Sequence, residues 1–208
     1  MQCIDEKRIY GRIKRLLDFV ISLLALILLS PLFLLIGIAI VVDDPRGGPI
    51  YSQIRIGKDE VPFRLYKFRS MIVGAEHMQE ALEAQNERDG PVFKIRDDPR
   101  ITRIGRFLRR SGLDELPQLW NVLRGEMSLV GPRPALPREV AQYDELERQR
   151  LVVRPGLTCY WQVVPQRDQV TFSRWMELDL AYIRDCSIWV DLQLMLKTFW
   201  VMLTGQGE

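Results

Sequence analysis

Between Phe19 and Val42 the chain carries no formally charged residue. This 24-residue run, FVISLLALILLSPLFLLIGIAIVV, constrains the fold more than any other feature. A straight helix of that length, rising about 1.5 Å per residue, spans the roughly 30 Å hydrocarbon core of a bilayer. The run is too long for a signal-peptide core, and no small-residue cleavage site follows it. The plainer alternative is a buried helix of a globular domain. Ser30-Pro31 stands at the middle of the run. Proline removes a backbone donor and clashes with the carbonyl four residues back, so a kink is expected there. The Ser30 hydroxyl can cap a freed backbone group, which makes the break tolerable in lipid. Lys7, Arg8, Arg12, Lys14 and Arg15 precede the run and favour a cytoplasmic N-terminus. Asp43-Asp44-Pro45-Arg46 and a polar remainder follow it. A straight span would export that remainder, whereas a hairpin bent at Ser30-Pro31 would keep it in the cytoplasm; the residues leave both open.

Composition narrows the chemistry. In 208 residues there are 29 Lys+Arg against 27 Asp+Glu, a formal net charge of +2. That balance does not suit wholesale wrapping of nucleic acid. Cys3, Cys159 and Cys186 lack paired spacing, which disfavours a disulfide framework and a zinc ribbon and fits a reducing compartment. His77 is the single histidine, so a Ser-His-Asp relay and a multi-His metal site are set aside. Carboxylates, Lys/Arg, hydroxyls or a hard metal ion remain as chemical equipment.

The soluble part reads as one unit. Residues 47–71 predict a strand pair or an extended segment: Gly47-Gly48-Pro49 turns, IYSQIRIG alternates partly, Gly57-Lys58-Asp59-Glu60 turns again and FRLYKFRSM follows. In IYSQIRIG, Ile50, Ile54 and Ile56 are set against Ser52, Gln53 and Arg55. Residues 75–88 predict a polar helix or loop. Arg154-Pro155-Gly156 turns before LTCYWQV, a short strand or buried segment, and 172–203 reads as helix with Trp175, Trp189 and Trp200 along it. The sparse polar residues of 187–203 suit either core packing or a membrane interface, where Trp is favoured.

Two stretches carry candidate chemistry. KIRDDPRITRIGRFLRR, 94–110, holds seven basic and two acidic residues, with Arg100, Arg103, Arg106 and Arg109 at every third position. That spacing drifts around a helix instead of holding one face. It reads as a solvated run or lipid-headgroup contact, or as a phosphate site, since guanidinium forks match phosphate oxygens. Next, Asp114-Glu115 precede an apolar helix that starts near Leu116, or nearer Ser111 if Ser111 and Asp114 form a capping box. Acids at a helix start are most simply caps. Their place between a cationic run and the rigid Gly131-Pro132-Arg133-Pro134 turn argues for more. A carboxylate beside cations is expected to keep a low pKa, stay ionised, and attack phosphorus or bind Mg²⁺.

On Ser30-Pro31, KFRSM at 67–71, LDELPQLWNVLRGEMSLVGPRP at 113–134 and RPGLT at 154–158, the chain resembles the bacterial sugar transferases. More closely, it resembles the monotopic polyprenyl-phosphate phosphoglycosyl transferases of the undecaprenyl-phosphate hexose-phosphate type. These stretches cover most of the chain from Lys14 onward, and LDELPQ…SLVGPRP is long and specific. Longer members carry an extra membrane bundle, so the resemblance is to the catalytic unit. Cys159 stands where the family often has glycine, and a local packing consequence is expected.

The resemblance implies an α+β, mostly helical fold. A basic N-terminus and re-entrant helix-break-helix would occupy 1–45. A catalytic domain with a small β element and interfacial C-terminal helices would occupy 46–208, on the cytoplasmic face of a bacterial inner membrane. It implies transfer of a sugar-1-phosphate from a UDP-sugar to undecaprenyl phosphate with release of UMP, in exopolysaccharide, O-antigen, capsule or glycoconjugate synthesis. Asp114 would be the nucleophile. Glu115, with Asp114, would hold Mg²⁺. Arg109, Arg110 and Arg133 would clamp phosphate, with Lys67 and Arg69 placed by motif alone. Ser30, Pro31, Gly131, Pro132 and Pro134 would be structural. Inner-leaflet phospholipid is an expected partner and nucleic acid is not; a homodimer through the apolar C-terminal helix stays open. DGPVFK at 89–94 and LTCYWQV lean towards galactose- or glucose-phosphate.

Overall fold

The structure, a computed structural model, describes residues 2–164 and 169–203. Helix α1 runs over Gln2–Leu28 and α2 over Ser30–Asp43, bent by 61° at the break. The bend has an atomic cause. Pro31 has no N–H to give the Ile27 carbonyl, and the Ser30 hydroxyl donates to that carbonyl instead, at 2.8 Å. Among the described residues no single helix is long and apolar enough to cross a membrane, while the bent pair together has the length and composition for a broken span or re-entrant loop. Ile36 and Ile40 pack on Phe68 and Leu108, but Leu28, Leu34, Leu35 and Val42 stand exposed.

The charged flank of α1 has structural contacts. Arg15 donates to the Val122 and Leu123 carbonyls at 2.6 and 2.8 Å. Those carbonyls end helix α4, Gln118–Arg124, where a cation also suits the helix dipole. Asp18, buried, accepts from the Leu129 backbone N–H at 3.0 Å.

The expected strand pair is an antiparallel hairpin, β1 (Ile50–Ile56) and β2 (Pro62–Phe68), in register from Ile50 opposite Phe68 to Ile56 opposite Pro62. Its inner face is not the isoleucine face. Ile50 and Ile54 are exposed, whereas Arg55 is buried together with Phe63 and Leu65. Residues 75–88 form two 3₁₀ turns, Ala75–Met78 and Glu80–Gln85, instead of one polar helix; they bury only Ala75 and Leu82. Helix α3, Arg103–Ser111, is capped by Thr102 and stopped by Gly112 at φ 70°. Ser111 does not open the next helix: its hydroxyl donates back to the Phe107 and Leu108 carbonyls and closes α3. A single 3₁₀ turn, Leu113–Glu115, then leads into α4.

Strands β3 (Ser128–Val130) and β4 (Gly156–Thr158) pair in parallel, with short helices α5 (Pro137–Val140) and α6 (Glu145–Arg148) between them. The predicted helix over 172–203 is two: α7, Phe172–Asp185, and α8, Ile188–Leu203. Ser187 explains the interruption, because its hydroxyl and carbonyl accept from the N–H groups of Val190 and Asp191 and start a new helix. Helix α8 has two unlike faces. Leu194 is buried and Asp191 binds Tyr10, Lys14 and Tyr182, while Trp189, Leu196, Phe199 and Trp200 are exposed. The core joins Phe63 and Leu65 to Leu119, Val122, Met127, Val130, Tyr182 and Leu194, beneath the acidic turn. Cys159 is wholly buried and Cys186 half-buried.

Candidate active site

Gly112 supplies the left-handed backbone that lets the chain reverse after α3 and present Asp114 and Glu115 on one turn. Three elements bring cations to the cleft that this turn lines. Lys67, next to last in β2, donates to Glu115 Oε1 at 2.7 Å. Arg109, in the last turn of α3, donates from Nε to the Ser70 hydroxyl at 2.9 Å. Arg133 comes from the loop after β3, stacked over the Trp175 ring at 5.4 Å and 3.9 Å from Glu139. Together they wall a cleft of about 670 Å³ that has Asp114 and Glu115 in its lining.

Asp114 is only 7 % exposed. Burial pushes its carboxyl up to about 6; Lys67 pulls the other way, Glu115 adds to the rise, and Arg109 again opposes it. The low pKa expected from the neighbouring cations is thus overturned, because loss of water outweighs both of them. The carboxyl still ionises below neutral pH.

Most of the predicted site residues meet here, in differing ways. Asp114, Glu115, Lys67, Arg109 and Arg133 line the cleft. Arg69 lines it as well, but its guanidinium holds the end of α2, donating to the Asp44 carbonyl and lying 3.7 Å from the Asp44 carboxylate. Arg110 does not reach the cleft wall; one residue beyond Arg109 on α3, it points to the exposed side. The basic run divides similarly: Arg100 is buried against Asp98 at 2.6 Å, whereas Arg103 and Arg106 are exposed. Gly131, Pro132 and Pro134 form scaffolding. Gly131 N–H donates to the Thr158 carbonyl and Gly156 N–H to the Pro132 carbonyl, both at 2.9 Å. A side chain on Gly131 would meet the Arg154 carbonyl at 2.5 Å, so the VGPRP and RPGLT stretches fit only as glycine against glycine. Sequence reasoning missed Ser70, the partner of Arg109, and Arg55, a buried guanidinium in the cleft lining. Arg55 sat on the polar side of the strand alternation and so carried no signal of its own.

Among the described residues no cluster of three or more His, Cys, Asp or Glu could form a metal cage. Two adjacent carboxylates at a cleft suit a different arrangement, in which Mg²⁺ takes one or two protein carboxylates and completes its shell with water and substrate phosphate.

The chain thus combines an acid pair in a cation-lined cleft with a bent apolar helix pair. Residues 9–205 match the bacterial sugar transferase family, and the chain belongs to that family of transferases. It is 42 % identical over 199 residues to the galactosyl transferase CpsE of Streptococcus agalactiae serotype III (strain NEM316), covering 93 % of this chain and 43 % of that protein. It is 39 % identical over 209 residues to the undecaprenyl-phosphate galactose phosphotransferase of Salmonella typhimurium (strain LT2), covering 97 % and 42 %. With the exopolysaccharide production protein ExoY of Sinorhizobium fredii it shares 38 % over 202 residues, covering 95 % and 88 %. The chain thus spans about two fifths of the first two relatives and most of ExoY.

Proposed function

We propose that this chain transfers a sugar-1-phosphate from a UDP-sugar to undecaprenyl phosphate, the activity that the name of its Salmonella relative suggests. The observation that carries this reading is the site itself: a buried aspartate beside Glu115 in a cleft of about 670 Å³ that Lys67, Arg109 and Arg133 also line. In this reading an Asp114 oxygen attacks the phosphorus that bears the sugar. An Asp114–phosphorus bond forms, the bridging diphosphate bond breaks, and UMP leaves with the bridging oxygen. A lipid phosphate oxygen then attacks the same phosphorus and frees Asp114. Dividing the transfer in two avoids bringing both anions together in one step.

Lys67, Arg109 and Arg133 would hold the phosphate oxygens in place. Glu115, with Asp114 beside it, would hold Mg²⁺, whose chemistry when bound is to neutralise diphosphate oxygens and the leaving phosphate. The bent helix pair is read as a re-entrant hairpin, with the exposed Trp189, Phe199 and Trp200 of α8 at the lipid interface. In this reading the basic residues before the apolar run keep the cleft on the cytoplasmic face of the inner membrane, where nucleotide sugars and lipid phosphate both arrive. A screen of UDP-sugars with undecaprenyl phosphate tests the proposal. UMP release, and sugar-labelled protein formed without lipid, are expected. UDP as the nucleotide product would overturn it.

A further inference from the structure

Among the described residues four arginines are buried: Arg55, Arg69, Arg100 and Arg150. A buried guanidinium is costly unless a counter-charge and hydrogen bonds replace its water. Three of the four have a carboxylate: Arg69 has Asp44 at 3.7 Å, Arg100 has Asp98 at 2.6 Å and Arg150 has Asp179 at 2.6 Å. Arg55 has none within 4.0 Å among the described residues. Its Nη1 donates to the Pro134 carbonyl at 3.0 Å and its Nη2 to the Gln53 side-chain oxygen at 3.2 Å, while its Nε finds no acceptor. The residue lines the cleft. Burial, then the like charge of Arg133, pull its pKa down to about 9. Glu139 and Glu115 oppose that fall from beyond ion-pair distance. Arg55 is therefore a cation held in place by neutral groups, with no carboxylate in contact among the described residues.

We infer that Arg55 is a phosphate ligand of the cleft, supplying a fixed guanidinium to the anionic oxygens of a bound substrate. The inference deepens the proposed function and rests on it for the identity of that substrate. Two sources offer the chemistry, the diphosphate of the nucleotide sugar and the phosphate of the polyprenyl lipid. Holding a charge unpaired in the free protein is a cost that a phosphate would remove on binding. Arg55 should therefore contribute to ligand affinity and little to the stability of the free chain.

The test compares the full chain, wild type, R55Q and R55K, in lipid nanodiscs. Melting is followed without ligand and with pyrophosphate, UDP or undecaprenyl phosphate, and KM for each substrate is read from UMP release. R55Q is expected to melt no lower than wild type without ligand, to lose most of the phosphate-induced rise, and to raise one KM by about tenfold. R55K should fall between the two, since an ammonium keeps the charge but not the fork. A changed response to UDP and pyrophosphate assigns Arg55 to the donor, and a changed response to undecaprenyl phosphate assigns it to the lipid. Wild-type ligand responses in R55Q would overturn the inference, as would a wild type that none of the three phosphates stabilises. Should R55Q fail to fold, the same measurements on R55K decide. If wild type releases no UMP, the proposed function fails, and the pyrophosphate response still decides Arg55.

Discussion

The Lys67 ammonium donates to the Glu115 carboxylate across 2.7 Å, and so ties the hairpin to the turn that carries both acids. Lys67 is also the stronger of the two cations that restrain the rise of the Asp114 pKa. Lys67→Met should therefore act on the acid pair as well as on substrate. Turnover is expected to fall by about one to two orders of magnitude. The acidic limb of the pH–rate profile, set by Asp114 near 6, should move to higher pH. A limb left in place would show that Lys67 acts on substrate alone.

Asp114→Asn separates catalysis from stability. Turnover should drop by several orders of magnitude, as expected when a nucleophile is removed. Stability should move the opposite way. Burial raises the folded-state pKa of Asp114 to about 6, above the ordinary carboxylate value of an unfolded chain. The stabilisation linked to that proton is fully present below the ordinary value and is lost as pH climbs through about 6. At pH 8 the wild type therefore holds a buried charge that the asparagine variant lacks. D114N should melt a few degrees higher than wild type at pH 8, with the gap closing towards pH 4. Thermal melts across that range check it, and equal melts at every pH would contradict the buried-charge account.

Gly105 sets the height of α3 above the cleft. A side chain there would run into the Ser70 carbonyl, and Ser70 is also the partner of Arg109. Gly105→Ala should push α3 outward and cost about 1–3 kcal/mol, the usual cost of overpacking. It should also weaken donor binding through Arg109. Denaturant unfolding together with KM for the nucleotide sugar gives the two readouts.

Some of this was legible in the residues, and the reasons differ by element. The bend at Ser30-Pro31 was legible because proline's missing donor is a local fact, and the hydroxyl beside it takes over the very carbonyl left free. The hairpin was legible from its turns, but its sidedness was not. Alternation within IYSQIRIG cannot tell that Arg55 faces inward and Ile54 outward, because that face is shared between the core, through Phe63 and Leu65, and the cleft, which Arg55 lines. The motif names the acid pair and its candidate cations, most of which line one cleft. The pKa of Asp114 runs against the expected direction, since charge is written in the sequence and burial is not. Arg110 is set off from the cleft lining because neighbours on a helix lie about 100° apart, and Arg109 takes the inward position. The end of α7 at Asp185 was legible in principle, since Ser187 is a local cap that accepts from the Val190 and Asp191 N–H groups, but the apolar pattern runs through it unbroken.

The bent helix pair gives a prediction about sidedness that needs no activity. If the 61° break makes a hairpin, both ends of the chain's first helical region face the same side. Single cysteines replacing Gln2 or the exposed Glu60, in a chain whose three native cysteines are removed, should both be shielded from a thiol reagent confined to the periplasm. Labelling at 60 with none at 2 would instead mean a straight span. Pro31→Leu sharpens the comparison. It returns a backbone donor to the Ile27 carbonyl that Ser30 now serves, and removes the clash that favours the bend. The variant should straighten a share of the molecules, so that labelling at 60 rises above the wild-type background while position 2 stays protected. Labelling that stays at background in P31L would assign the bend to the contacts of Ile36 and Ile40 with Phe68 and Leu108 instead of to the proline.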